Sequence, residues 1–241
     1  MFWSSFWRKL LIFYVFENLN IKICLREEYT IIMSIGMIVV GFPGIGKTSI
    51  SFGKNNFVDL ESSCFNIVDP VTNKKTKPDN WEKLYVSVAY DLAKQGKHVC
   101  VSNHSLVINE LFDRKQKDSR LDEYPIVFVY PKKNLKDRWI ERLTDRYNSS
   151  VQIDKDIADK NKAALDAVAA NYDKWIDALE RIDPNNVTAY GNNVYKIPID
   201  CIDYDLAATL KCFIETYDRY ESKLSELCKI REHFMNTYCV M

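Results

Sequence analysis

The sequence has no surplus of either charge: 33 Lys and Arg stand against 33 Asp and Glu in 241 residues. A long nucleic-acid footprint needs a basic surplus on one face, so this balance weighs against that class of partner. Paired cysteine motifs are missing as well. The seven cysteines, at 24, 64, 100, 201, 212, 228 and 239, form no C-x-x-C and have no histidine at zinc spacing. The expectation is a reduced, cytoplasmic compartment in which the thiols fill small core positions. Long apolar runs are also absent. In the aromatic N-terminal stretch the uninterrupted run, Leu10 to Phe16, has seven residues, where a membrane span needs about 20. Glu17-Asn18-Leu19-Asn20 supplies no small-residue cleavage site, so a signal peptide is not expected. No internal repeat or low-complexity tract appears.

With 47% hydrophobic and 27% charged residues, the composition is that of a soluble globular chain. Its length allows one α/β domain with insertions or a small lid. Residues 1–32, dense in Phe, Trp and Leu, read as a peripheral extension, with an interfacial membrane helix as the alternative. The domain is expected over 33–241.

The informative stretch is Gly41-Phe42-Pro43-Gly44-Ile45-Gly46-Lys47-Thr48, which follows the apolar run Met37-Ile38-Val39-Val40. Its spacing, G-x-x-x-x-G-K-T after a buried strand, is that of a phosphate-cradling loop. Gly41, Gly44 and Gly46 let the backbone turn tightly and bring its N–H groups to an anion. Pro43, Ile45 and Ser49 belong to the same cradle. Lys47 would reach the β- and γ-phosphates of ATP, and the Thr48 hydroxyl would coordinate Mg²⁺.

After it, Val58 to Leu60 reads as a short strand from whose end Asp59 and Glu61, two apart, leave on one side. One carboxylate there can hold Mg²⁺ or take the acceptor's proton, and the other can bind an acceptor hydroxyl or amine. Residues 66–80 are breaker-rich and read as a loop. Trp81 to Lys94 reads as a helix with Trp81, Leu84, Tyr85, Val88 and Leu92 on its apolar face. His98 to Ser102 is the next strand, ending in Asn103 and His104 as candidate acceptor contacts, and it carries no acid of the Walker B kind. Helix 104–116 follows, with Leu106, Ile108, Leu111 and Phe112 inward, and then an all-apolar strand from Pro125 to Pro131. In Lys132 to Tyr147 a core stripe (Leu135, Trp139, Leu143, Tyr147) runs beside a row of Arg138, Arg142 and Arg146, suited to neutralising a transferring phosphoryl group. A polar hinge at 148–160 leads to a helix over 162–182, so that 132–183 reads as a lid. A strand at Tyr195–Ile199 and two helices, 205–217 and 224–238, complete the chain.

The order strand, glycine loop, D-x-E strand end, crossover and arginine-bearing helix resembles the nucleoside and nucleotide monophosphate kinases among P-loop proteins. Gly41-Phe42-Pro43-Gly44-Ile45-Gly46-Lys47 is similar to the G-x-P-G-x-G-K form of adenylate kinases. Asp59-Leu60-Glu61-Ser62-Ser63 with Tyr130-Pro131 and the arginine row looks like small bacteriophage-encoded P-loop kinases. The resemblance covers roughly residues 37–182. Thr48 follows Lys47 directly, and the D-G-F-P-R segment of adenylate kinases is absent, which separates the chain from adenylate kinase proper. The resemblance implies a parallel-sheet P-loop core flanked by helices, with a helical lid. It implies an ATP- and Mg²⁺-dependent kinase of a nucleoside or deoxynucleoside monophosphate, cytoplasmic in location. The implied catalytic residues are Lys47, Asp59, Arg138, Arg142 and Arg146. Asp59, Glu61, Asn103 and His104 would bind the acceptor, and Thr48 and Asp59 the metal. Alternatives are a polynucleotide 5′-kinase or ATPase in nucleic-acid metabolism, using Lys74, Lys75 and Lys77 with the arginine row, and a nucleotide-binding regulatory protein attached to membranes by Phe2 to Phe16.

Overall fold

A parallel five-stranded sheet carries the architecture, in the order β2-β5-β1-β6-β7. The computed structural model describes residues 35–51, 56–72 and 74–238, all within one unit, Met33–Met241. The reading of 1–32 as a peripheral extension lies outside the described residues. The strands are β1 (Met37–Gly41), β2 (Phe57–Asp59), β5 (His98–Ser102), β6 (Ile126–Pro131) and β7 (Val194–Ile199). Two more short strands, β3 (Ile67–Val68) and β4 (Lys75–Thr76), form a separate hairpin. Central parallel strands are covered on both faces and so are predominantly apolar. Val39, Val99, Val101, Val127 and Val129 accordingly have no exposure.

The helices are α1 (Lys47–Ser51), α2 (Trp81–Lys94), α3 (Ser105–Lys117), α4 (Lys136–Val151), α5 (Lys155–Arg181), α6 (Val187–Tyr190) and α7 (Leu206–Tyr238). The chain leaves β1 for the edge strand β2, returns through α2 to β5, then passes over β1 to β6. β1 is therefore the switch point, and the carboxyl ends of β1, β5 and β2 frame the crevice where open α/β sheets hold ligands. In that register Gly41 lies beside Ser102, and Asp59 beside Cys100. Among the described residues no helix is long and apolar enough to cross a membrane.

Several elements differ from the sequence expectation, each for a physical reason. In α2 the buried face is Trp81, Tyr85, Val86, Ala89, Tyr90 and Ala93, while Leu84 is 60% exposed. Tyrosines can take the inner positions because their hydroxyls find acceptors: Tyr85 bonds the Leu60 carbonyl and Tyr90 that of Leu111. In α3, Val107 is buried in place of Leu106. The stretch 66–80 is not all loop. The Asp69 carboxylate accepts from the N–H groups of Val71 and Thr72 at 2.8 and 2.9 Å, turning the chain into the β3–β4 hairpin, whose two-residue strands are too short for a periodic signal. The polar stretch 148–160 is not a long hinge. Helix α4 runs to Val151, and Asp154 caps α5 by accepting from Ile157 N–H at 3.1 Å. The buried Asn161 donates to Ser150 Oγ at 3.0 Å, tying the two helices together. Both helices turn their inner faces to the sheet. Trp139, Leu143, Val168, Tyr172, Ile176 and Leu179 all lie in the same core as the sheet. Finally, α7 is continuous, because 218–223 is polar but contains neither Gly nor Pro.

Among the described residues a charged side chain lies inside this framework. Lys115, on α3, is 2% exposed and donates to Asn192 O at 2.6 Å, with Asp122 at 3.7 Å, so it pins α3 to the turn before β7. Burial lowers its pKa from 10.5 to about 8 against the opposing pull of Asp122. Between those values the unfolded chain holds a proton that the folded chain has released, so stability from this group rises as pH climbs from about 8 to 10.5. A Lys115→Met variant should lack that slope. Urea unfolding of both proteins across the window should show wild type gaining roughly 1–3 kcal/mol on the variant. Parallel pH profiles would mean that the ammonium is not desolvated.

Candidate functional site

The glycine loop, Gly41–Gly46, joins β1 to α1 and is held by what each residue can and cannot accommodate. Phe42 is fully buried, and its ring meets those of Tyr172, Trp175 and Trp139 edge-on, with centroids 5.5, 6.0 and 6.2 Å away. Burial of a phenylalanine contributes roughly 1.5–3 kcal/mol, and each such ring pair about 0.5–1.5 more. The loop is thereby anchored to α4 and α5. Gly41 is required by close approach: a Cβ there would lie 2.7 Å from Lys47 Cδ, where the lysine stem folds back across the loop. Gly44 and Gly46 have φ of +81° and +100°, a region that other residues enter only under strain.

Lys47 donates through Nζ to the carbonyls of Gly41 (2.7 Å) and Phe42 (3.2 Å), closing the loop over its own backbone. Desolvation lowers its pKa, with Arg146 adding to that shift while Asp59 and Glu61 oppose it. Thr48 Oγ1 donates to Asp59 Oδ2 at 2.7 Å, which joins the first turn of α1 to the end of β2. Glu61 accepts from Ser63 Oγ at 2.7 Å and pairs with Lys160 of α5 at 3.3 Å. The Ser63 hydroxyl, then Lys160, hold its carboxyl below the ordinary value. Tyr85 OH receives the Ser102 N–H at 3.0 Å and so braces β5 from α2.

The structure thus brings Lys47, Thr48 and Asp59 into one cluster, with Glu61 and Arg146 within electrostatic range. His104 faces the edge of Trp81 at 5.9 Å, and Lys77 covers that same ring at 3.4 Å. Burial, then the charges of Lys77 and Lys47, push the His104 pKa down, so its imidazole is neutral at neutral pH. Asn103 is half-buried beside it, and Ser49 is exposed on α1. The arginine row divides. Arg146 is exposed, and its charge acts on both Lys47 and Glu61. Arg142 is committed elsewhere: it donates to Ile202 O at 2.9 Å and packs on the rings of Trp139 and Tyr204. Arg138 is exposed. An i, i+4, i+8 row drifts around a helix whose core stripe is fixed by Trp139, so its members meet different surroundings.

Three groups at the site escaped the sequence reading. Trp139 Nε1–H donates to Pro43 O at 2.9 Å, Tyr204 OH donates to Ile45 O, and Lys160 reaches Glu61. Trp139 was legible as a core residue, and a buried indole N–H seeks an acceptor, but its partner lies 96 residues away. Tyr204 sits in an irregular connection without periodicity. Among the described residues no three His, Cys, Asp or Glu side chains converge as a metal cage. A cation here would therefore rest on Thr48, Asp59, water and ligand oxygens, the arrangement that Mg²⁺ favours.

The loop's geometry makes glycine substitutions informative. Gly44→Ala should destabilise by about 1–3 kcal/mol, combining the positive φ with a Cβ placed 2.8 Å from Leu143 Cδ2. Gly46→Ala meets only Leu206 at 3.7 Å and should cost about 1 kcal/mol, for its φ alone. Urea melts of the two variants check the order, and equal costs would mean that α4 does not press on the loop. No protein-family model matches the chain, and no curated protein does either, so its functional reading rests on this geometry.

Proposed function

We propose that the chain is an ATP- and Mg²⁺-dependent phosphotransferase with a P-loop core, acting on a nucleotide-type acceptor. The observation that carries this reading is the Thr48–Asp59 hydrogen bond of 2.7 Å beside Lys47 in a glycine loop with two positive-φ glycines. The sequence places no acid at the end of β5, where many such ATPases carry their metal-directed carboxylate. Asp59, on the edge strand β2, meets Thr48 instead.

In this reading the amides of the loop bind the donor's phosphates, and Lys47 exchanges its backbone carbonyls for phosphate oxygens. Thr48 and Asp59 would hold Mg²⁺, which when bound would neutralise charge on the transferred group. Asp59 accepts a hydrogen bond from the Thr48 hydroxyl and so fixes the direction of that oxygen's lone pairs. Glu61 and neutral His104 stand on the acceptor side as acceptor and dipole, and Arg146 adds positive charge within range of Glu61. Phosphoryl transfer asks for positioned charge more than for covalent chemistry, and this cluster offers that.

The test is mass detection of an added phosphoryl group across nucleosides, nucleoside and deoxynucleoside monophosphates and a 5′-hydroxyl oligonucleotide, with ATP and Mg²⁺. A monophosphate should be converted. A modified oligonucleotide would favour the nucleic-acid reading, and ADP formation with every acceptor unchanged would contradict the kinase. Asp59→Asn should lower transfer about 10- to 100-fold and raise the Mg²⁺ concentration needed. Unchanged Mg²⁺ dependence would remove Asp59 from the metal site.

A further inference from the structure

The donors within the glycine loop are selected from outside it. A phosphate cradle needs N–H groups facing inward, and a trans peptide unit points its N–H opposite to its C=O. Pro43 has no N–H, and the N–H groups of Phe42 and Ile45 are used on Val129 O and Phe42 O, at 3.0 and 3.1 Å. Within the loop this leaves Gly44 and Gly46, whose N–H groups take no hydrogen bond among the described residues. Each shares its peptide unit with a carbonyl gripped from the opposite side. Pro43 O, in the unit of Gly44 N–H, accepts from Trp139 Nε1 at 2.9 Å. Ile45 O, in the unit of Gly46 N–H, accepts from Tyr204 OH.

The two gripping side chains form one assembly. Their rings stack with centroids 6.1 Å apart and planes 13° from parallel, and the Arg142 guanidinium lies 5.5 and 5.3 Å from the two centroids. Arg142 Nη1 is in turn fixed on Ile202 O, two residues before Tyr204. Helix α4 and the segment leading to α7 thus converge on alternate peptide units of the loop.

We infer that Trp139 and Tyr204, held in register by Arg142, are positioning residues that turn the Gly44 and Gly46 amides toward a bound phosphate chain. The inference rests on the phosphate-loop reading above and adds to it the origin of the loop's orientation. Without the outer donors, two glycines of high backbone freedom, separated by one residue, would let either unit flip, and the flipped unit would present a carbonyl to an anion. Tyr204→Phe removes the grip on one unit and Trp139→Phe the grip on the other.

The experiment titrates the full-length protein and each variant with Mg-ATP and with Mg-pyrophosphate, follows the ¹⁵N–¹H resonances of Gly44 and Gly46, and records the ligand-free melting temperature. Each variant is expected to bind both probes about five- to tenfold more weakly. Tyr204→Phe should blunt the ligand response of Gly46 and spare Gly44, and Trp139→Phe the converse. That crossed pattern would not arise from general loosening. Wild-type affinity in both variants, or equal loss of both amide responses, would overturn the inference while leaving the phosphate loop intact. Wild-type protein that binds neither probe would overturn the phosphate-loop reading and this one with it. Should Trp139→Phe fail to fold, Tyr204→Phe decides the matter alone.

Discussion

A trans peptide unit points its N–H and its C=O in opposite directions, and the site depends on that constraint. If the amides of Gly44 and Gly46 are to face a ligand, the carbonyls of Pro43 and Ile45 must face the protein, where a buried acceptor without a donor costs about 1–3 kcal/mol. The outer wall therefore has to bring donors. Trp139 on α4 and Tyr204 before α7 supply them, and the aromatic packing of Phe42 against Tyr172 and Trp175 holds the same wall in place. The long insertion between β6 and β7 acquires a role in consequence. It buttresses the loop from behind, and its helices share the core of the sheet.

The other half of the site is organised around a displaced acid. Ser102 ends β5 beside Gly41, and the carboxylate that meets Thr48 comes from the next strand outward. Because β2 is an edge strand of three half-buried residues, Asp59 reaches the crevice from a less crowded position than a central strand would give. Tyr85 stabilises the arrangement by bonding both the Leu60 carbonyl after β2 and the Ser102 amide at the end of β5. The cluster collects opposite charges at its rim: Glu61 is paired with Lys160 of α5, and Arg146 lies near enough to act on both Glu61 and Lys47.

Much of this was legible in the sequence where a local rule governs it. Three of the seven glycines fall within six residues, behind an apolar strand, and the spacing to Lys47 and Thr48 dictates a backbone of one kind. The central strands β1 and β6 were readable because burial on both faces leaves no charged side chain in them, and the D-x-E pair because period two puts Asp59 and Glu61 on one side. What was not legible depends on distant partners. The burial of Leu84 or Val86 depends on what covers α2. The fate of Arg142 depends on a carbonyl 60 residues away. Polar residues at 148–160 suggested a hinge, yet Ser150, Asp154 and Asn161 are used to cap and join two helices. Polarity alone does not distinguish a mobile segment from a capped turn.

On the proposed function, Gly41–Thr48 binds a nucleoside triphosphate through Lys47. The most direct measurement is calorimetric titration of the full chain with Mg-ATP, set beside Lys47→Ala. That variant removes the ammonium held on Gly41 O and Phe42 O while leaving the glycines and the aromatic anchor in place. Wild type should bind with a one-to-one stoichiometry, and Lys47→Ala should lose at least about tenfold in affinity with little change in melting temperature. Equal binding by both proteins, or no binding by a folded wild type, would contradict it.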